Sequence, residues 1–311
     1  MAGRRSKAVC CGRARFSYAG CVDSVAKVGV SMAEASITSR IPAEQPRVRR
    51  GYFECRYGQL HVHNAIPPGG GFEEGTSLLC LHRAPQSGHL FERFLALAGQ
   101  DRSVYAPDIP GFGDSDAPTT RPSVADYAGA MGDFLDSMRF RQIDVLGYQL
   151  GALLALELAI ARPQQVRRVV LVSVPAFTDA DRETFRHAQG PVAPAADGSH
   201  LTSEWQRARD AYGPGVQPEV VANALGEKLR SGPHGAWATT ATLQYPVRER
   251  LGQLTQPTLV LRPKDPLWEA TQRVRELLPK ARLMDLPDQG QGLFEVAPEA
   301  AIDAMKDFLR G

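Results

Sequence analysis

The chain has 311 residues, 43% of them hydrophobic and 23% charged, which excludes wholesale disorder, collagen and a long coiled coil. No run approaches the ~18 apolar residues of a transmembrane helix. The net charge of +2 is unevenly placed: residues 1–50 hold ten Lys/Arg against three Asp/Glu, and the rest holds 26 against 31, so the body offers no electrostatic footprint for nucleic acid.

Residues 1–45 form an arm rich in Arg, Ala and Ser, with no acid before Asp23. Two readings fit: an organellar transit peptide, or an upstream extension with the true start at Met32. The second is favoured, which places the protein in the cytoplasm; the first places it in an organelle. Tyr18-Ala19-Gly20-Cys21 is a weak match to a lipidation box, because no apolar stretch precedes it. The five cysteines (Cys10, Cys11, Cys21, Cys55 and Cys80) are odd in number and match no zinc spacing. Residues 41–50 read as a linker into the folded body.

Two strand-like runs, 51–56 and 59–63, flank Tyr57-Gly58 as a hairpin would. His61 and His63 share one face of the second run. A metal pair there lacks an evident third ligand, so an exposed hairpin face is expected. Residues 77–81 are predicted to form a buried strand that encloses an inert Cys80 thiol. A helix follows over 87–98, with Leu90, Phe91, Phe94, Leu95 and Ala98 at helical spacing. Residues 104–106 are a strand. Ser123 to Asp126 is a capping box that starts a helix running to Met138. Residues 143–146 are a strand, followed by a helix that stops before Pro163. Three further strands lie at 169–172, 258–261 and 283–286, and a helix over 300–309 closes the chain.

Strands alternate with helices after the hairpin, which predicts an α/β fold: a mostly parallel twisted sheet with helices on both faces and right-handed crossovers. The alternation stops between Pro175 and Leu254. That stretch is too long for a plain connection, with helical pieces near 205–211 and 220–229. It reads as an inserted helical cap over 176–254, and the core is then 46–175 together with 255–311. Trp205, Tyr212, Trp237 and Tyr245 are candidates to line the cap side of a pocket.

In parallel sheets the site lies at the carboxyl ends of the strands. Those ends carry His82-Arg83-Ala84-Pro85, Asp108-Ile109-Pro110-Gly111-Phe112-Gly113-Asp114-Ser115, Gly147-Tyr148-Gln149-Leu150-Gly151, Lys264-Asp265-Pro266, and Asp288-Gln289-Gly290-Gln291-Gly292. In this order the pieces resemble the α/β-hydrolase superfamily over residues 51–311. The similarity is strongest to cap-bearing members: epoxide hydrolases, haloalkane dehalogenases, haloperoxidase-like esterases and C–C bond hydrolases. The resemblance implies an α/β-hydrolase fold. It sets the nucleophile position at Gln149, the acid at Asp265 and the histidine at Gln291. It sets the oxyanion-hole backbone donors at Ala84 and Leu150.

A neutral amide is no nucleophile and has no removable proton near neutral pH. Two of the three triad positions therefore depart from the family pattern, and a Ser-His-Asp acyl-enzyme is not expected. Arg83 stands where the family has glycine, either at the pocket mouth or in solvent. His82 is expected to brace its turn, and Tyr148 to pack beside the elbow or reach the pocket. His82, His89 or His234 could stand in for the missing base. The expected ligand is a small, mostly apolar organic molecule held between core and cap. In one reading Gln149 positions a water or carbonyl and Asp265 acts as base in non-covalent hydrolysis or proton transfer. In the other the chain is an inactive pseudo-hydrolase that only binds its ligand. No organic cofactor is expected, since no dinucleotide fingerprint follows a strand; no metal, nucleic-acid or membrane partner is expected either.

Overall fold

In the computed structural model, residues 46–68, 75–188, 194–213 and 215–311 are described. The readings placed on the arm, with Cys10, Cys11, Cys21 and Met32, fall outside them. The strands are β1 (Arg49–Cys55), β2 (Gly58–Ala65), β3 (Gly75–Leu81), β4 (Arg102–Pro107), β5 (Ile143–Tyr148), β6 (Val166–Val172), β7 (Thr258–Pro263) and β8 (Arg282–Leu286). Every predicted strand is present. Arg49 and Arg50, read as linker, already pair with Asn64 and His63.

The eight strands form one sheet in the order β1-β2-β4-β3-β5-β6-β7-β8. β2 is antiparallel to β1 and β4, and the remaining pairs are parallel. All six residues of β5 are buried, as expected where helices cover both faces of a parallel sheet. On one face pack α2 (Val124–Ser137) and α3 (Leu150–Ala161). On the other pack a 3-10 turn (Gly88–Phe91), α1 (Glu92–Ala98) and, near the end of the chain, the closing helix (Pro298–Arg310). The predicted helix over 87–98 is thus split, with Ser87 capping the 3-10 turn through its hydroxyl. The capping box at Ser123 and Asp126 is formed in both directions.

Between β6 and β7 lie α4 (Asp179–Ala188), α5 (Ser199–Tyr212), α6 (Pro218–Ser231), α7 (Pro233–Gln244) and α8 (Val247–Leu251). The described residues belong to one compact unit, so these helices do not separate from the sheet. After β7 come the short helices α9 (Trp268–Gln272) and α10 (Val274–Leu277). After β8 come α11 (Leu293–Val296) and the closing helix, now α12. None of the described helices is long and apolar enough to cross a membrane.

The expected exposed face at His61 and His63 is corrected: they are only 2% and 6% exposed. β2 is not the sheet edge; β1 covers one side, and Gly88 and the Asp108 carboxylate close over the rings. Cys80 is buried, and burial raises its thiol well above the usual range.

The tightest backbone contact in the sheet joins β3 to the start of α3. A Cβ at Gly151 would lie 1.9 Å from the Leu81 carbonyl oxygen, and backbone there cannot yield. Gly151→Ala is expected to lose ~3 kcal/mol or more in urea unfolding. Gly226→Ala, in open space on α6, is expected to gain about 0.5–1 kcal/mol.

Candidate active site

β5 ends at Tyr148 and α3 begins at Leu150, so Gln149 alone makes the turn. It adopts φ 53° and ψ −109°, a region that costs a non-glycine residue about 1–3 kcal/mol. Gly147 and Gly151 permit the turn: a Cβ at Gly147 would lie 2.1 Å from the Gly151 carbonyl oxygen. The Gln149 backbone N–H donates to Val172 O at 2.9 Å. Its side chain lines a cavity of about 970 Å³, and its Nε2 donates to Asp265 Oδ2 at 3.4 Å.

Asp265 follows β7. Its Oδ1 accepts from Leu267 N at 2.8 Å. Burial pushes its carboxyl above the usual carboxylate range, against the lowering effect of the Leu267 N–H and the Gln149 amide as donors. Ser173 Oγ sits close enough to lower the Asp265 pKa, yet makes no hydrogen bond of good geometry. Gln291 lines the cavity from the loop after β8, and its carbonyl accepts from Tyr148 OH at 2.7 Å. The structure therefore holds Gln149 against Asp265, and Gln291 borders the same cavity. Asp265 does not itself line the cavity; the Gln149 amide stands in contact with it and faces the open space.

Ala84 and Leu150 both line the cavity. The Leu150 N–H is the first of the four at the start of α3 that have no partner within the helix. His82 lies behind this turn, fully buried. Its Nε2 accepts from Ile109 N at 2.8 Å, so Nδ1 carries the proton and donates to Arg83 O at 3.0 Å. Burial lowers its pKa to about 4. With both nitrogens committed to backbone, this ring cannot serve as the base. His89 pairs with Glu92 at 2.8 Å. His234 faces Ser231 O and packs on Trp237. No imidazole lines the cavity among the described residues. Of the four aromatic candidates, Tyr212 and Trp237 line it, while Trp205 and Tyr245 do not. Tyr245 instead donates to Glu157 at 2.7 Å.

Arg83 is only 4% exposed and borders the cavity, which settles its place at the pocket. Its Nη2 donates to Tyr212 OH at 2.7 Å, and the Tyr212 hydroxyl donates to Glu295 Oε1 at 2.7 Å. Glu295 Oε1 lies 3.8 Å from the guanidinium. Arg83 Nε and Glu295 Oε2 have no hydrogen-bond partner, and burial raises the Glu295 carboxyl, opposed by Arg83. Tyr148 lies beneath the guanidinium, 5.8 Å from ring centre to Arg83. Glu295 is the site residue that sequence reasoning missed. Its only sequence signal is its place four residues after Gln291, at the start of a short helix.

A strained strand-to-helix elbow at the carboxyl edge of an eight-stranded sheet, an acid after the seventh strand and a run of helices between β6 and β7 define a hydrolase architecture. A family model described as alpha/beta hydrolase fold matches residues 76–298, and the chain belongs to that family. An uncharacterised protein of Mycobacterium bovis is 33% identical over 122 residues, 39% of this chain and 36% of that protein. Epoxide hydrolase 2 of Siraitia grosvenorii is 32% identical over 106 residues, 32% of this chain and 33% of that protein. The match thus spans about a third of the length of these relatives. A thermophilic esterase from Thermogutta terrifontis shares the fold at a TM-score of 0.68 and 19% identity, covering 84% of this chain and 98% of that one.

The Arg83–Glu295 pair is expected to behave as a buried charge pair. Arg83→Met should lose ~3 kcal/mol, because it strands a buried carboxylate. Arg83→Met with Glu295→Gln should lose clearly less than the sum of the singles in urea unfolding. The Arg83→Met penalty should shrink as pH falls, because protonation of the already raised Glu295 carboxyl removes the stranded charge.

Proposed function

We propose that this protein binds a small, mostly apolar organic molecule between the sheet and the helical cap, at a hydrolase site that has lost its nucleophile and its histidine. The observation that carries the reading is the elbow itself. Its exposed side chain is an amide already hydrogen-bonded to Asp265, and no imidazole borders the cavity among the described residues. An amide in this position holds a ligand: with Nε2 turned to Asp265, Oε1 is left to accept from a hydroxyl or N–H. The Leu150 and Ala84 backbone supplies donors for a carbonyl oxygen. The likeness to an epoxide hydrolase and an esterase supports a compact organic ligand and does not extend to their chemistry, because the cavity end lacks the nucleophile–base pair that acyl transfer requires.

A second reading keeps turnover. The raised Asp265 carboxyl is suited to act as a base through an intervening water, in hydrolysis or proton transfer without a covalent intermediate. Under this reading the rate falls with decreasing pH at a value above the ordinary carboxylate range, since the carboxylate is the active form, and Asp265→Asn abolishes it.

A panel of small esters, lactones and epoxides, run with wild type, Gln149→Ala and Asp265→Asn side by side, separates the two. The binding reading expects no turnover above buffer in any of them. It also expects a rise in Tm of the wild type with apolar ligands that Ala236→Trp, which fills the cavity from α7, removes. Turnover in wild type lost in Asp265→Asn establishes the second reading. Absence of both turnover and ligand-induced stabilisation refutes the proposal.

A further inference from the structure

We propose that His61, His63 and Asp108 form a buried site for one divalent transition-metal ion of the zinc type, which clamps β2 to the loop that follows β4. The strand geometry builds the set. His61 and His63 are two apart on β2 and so point to one side of the sheet. β2 pairs antiparallel with β4, His63 opposite Ala106, and Asp108 N donates to His61 O at 2.8 Å. This register brings the Asp108 carboxylate over the two rings, the third ligand that the His-x-His spacing alone does not reveal.

The three donor atoms lie within 4.8 Å of one another. His61 Nδ1 is 2.8 Å from Asp108 Oδ2, and His63 Nε2 is 3.8 Å from Oδ1. Tetrahedral zinc with bonds of ~2.0–2.1 Å sets its ligand atoms about 3.4 Å apart, closer than the 4.8 Å span of the set, so the side chains draw inward on binding. His63 is 6% exposed and its Nε2 lies beyond hydrogen-bond distance of the carboxylate it faces. A buried imidazole aimed at a carboxylate without bonding to it is what a metal ion between them would resolve.

The outer contacts of the carboxylate are already in place. Gly88 N donates to Oδ1 at 2.6 Å and Asp114 N to Oδ2 at 2.9 Å, and such donors fix the orientation of a ligating carboxylate. On binding, His61 gives up its Nδ1 proton contact with Oδ2 and the neutral ring carries that proton on Nε2. His89 stands nearby, its ring centre 6.2 Å from that of His63. Glu227 of α6 is close enough to interact electrostatically with Asp108 and His89, and its buried Oε2 has no hydrogen bond. Glu227 and His89 also line a neighbouring hollow of about 220 Å³. The set is separate from the Gln149 cavity, so this inference does not rest on the function proposed above.

The test uses chelator-treated full-length protein with Cys10, Cys11 and Cys21 replaced by Ser, titrated with Zn²⁺ by calorimetry and followed by Tm. One equivalent is expected to bind and raise Tm, and His63→Gln, which breaks no hydrogen bond, is expected to weaken binding at least tenfold. Long-range ¹H–¹⁵N spectra of the wild-type imidazoles provide a readout that needs no variant: the His61 Nδ1 and His63 Nε2 resonances should shift on adding Zn²⁺. Equal binding by wild type and His63→Gln, absence of binding, or unmoved imidazole resonances would each overturn the proposal and leave the cluster as a hydrogen-bonded brace.

Discussion

The close approach of backbone at the head of α3 is the constraint on which the remaining architecture depends. Leu81 at the end of β3 and Gly151 in the first turn of α3 meet with no room for a Cβ. The turn can close only if Gln149 accepts a left-handed φ of 53°. That strain is held by an almost wholly buried helix, in which nine of twelve residues are core, and by strands buried on both faces. The consequence is a single side chain thrust upward at the carboxyl edge of the sheet. In a hydrolase this geometry presents a nucleophile. Here the same strain presents the amide of Gln149.

Around this point the protein keeps an unusual amount of buried charge. Arg83, Glu295 and Tyr212 come from three separate segments and meet beside the cavity. Asp265 is buried with its carboxyl raised. Buried ion pairs rarely add net stability over an apolar packing, so the cluster is better understood as fixing geometry. Tyr212 belongs to α5, Arg83 follows β3 and Glu295 lies in α11, so the hydroxyl joins three distant segments of the chain. The cavity also has apolar wall residues, Phe177, Leu267 and Trp237 among them.

Much of the fold was legible because a parallel sheet covered on both faces writes its strands as short apolar runs. Val145, Leu146, Val169 to Val172 and Leu259 to Leu261 all read directly as core. The helical insertion was less legible. Its apolar positions are sparse, and Pro218 and Pro233, which look like breakers, in fact open α6 and α7 at their first turn. At the site, Gln149, Asp265 and Gln291 were placed by the family resemblance, whose motifs are short and local. Arg83 was named, but its placement depends on Tyr212 and Glu295, 129 and 212 residues away along the chain. No local signal reports such partners. His61 and His63 were misplaced for the same reason: alternation shows that they share a face, while only the sheet order shows that the face is covered.

The most direct measurement of the central claim is intact-protein mass spectrometry after exposure to a broad fluorophosphonate, which phosphonylates activated hydroxyl and thiol nucleophiles. An unmodified mass after prolonged incubation is expected, because the elbow carries an amide and, among the described residues, no imidazole borders the cavity to activate a nucleophile. A stoichiometric adduct mapped to a cavity residue would contradict it and show that covalent chemistry has moved to another side chain.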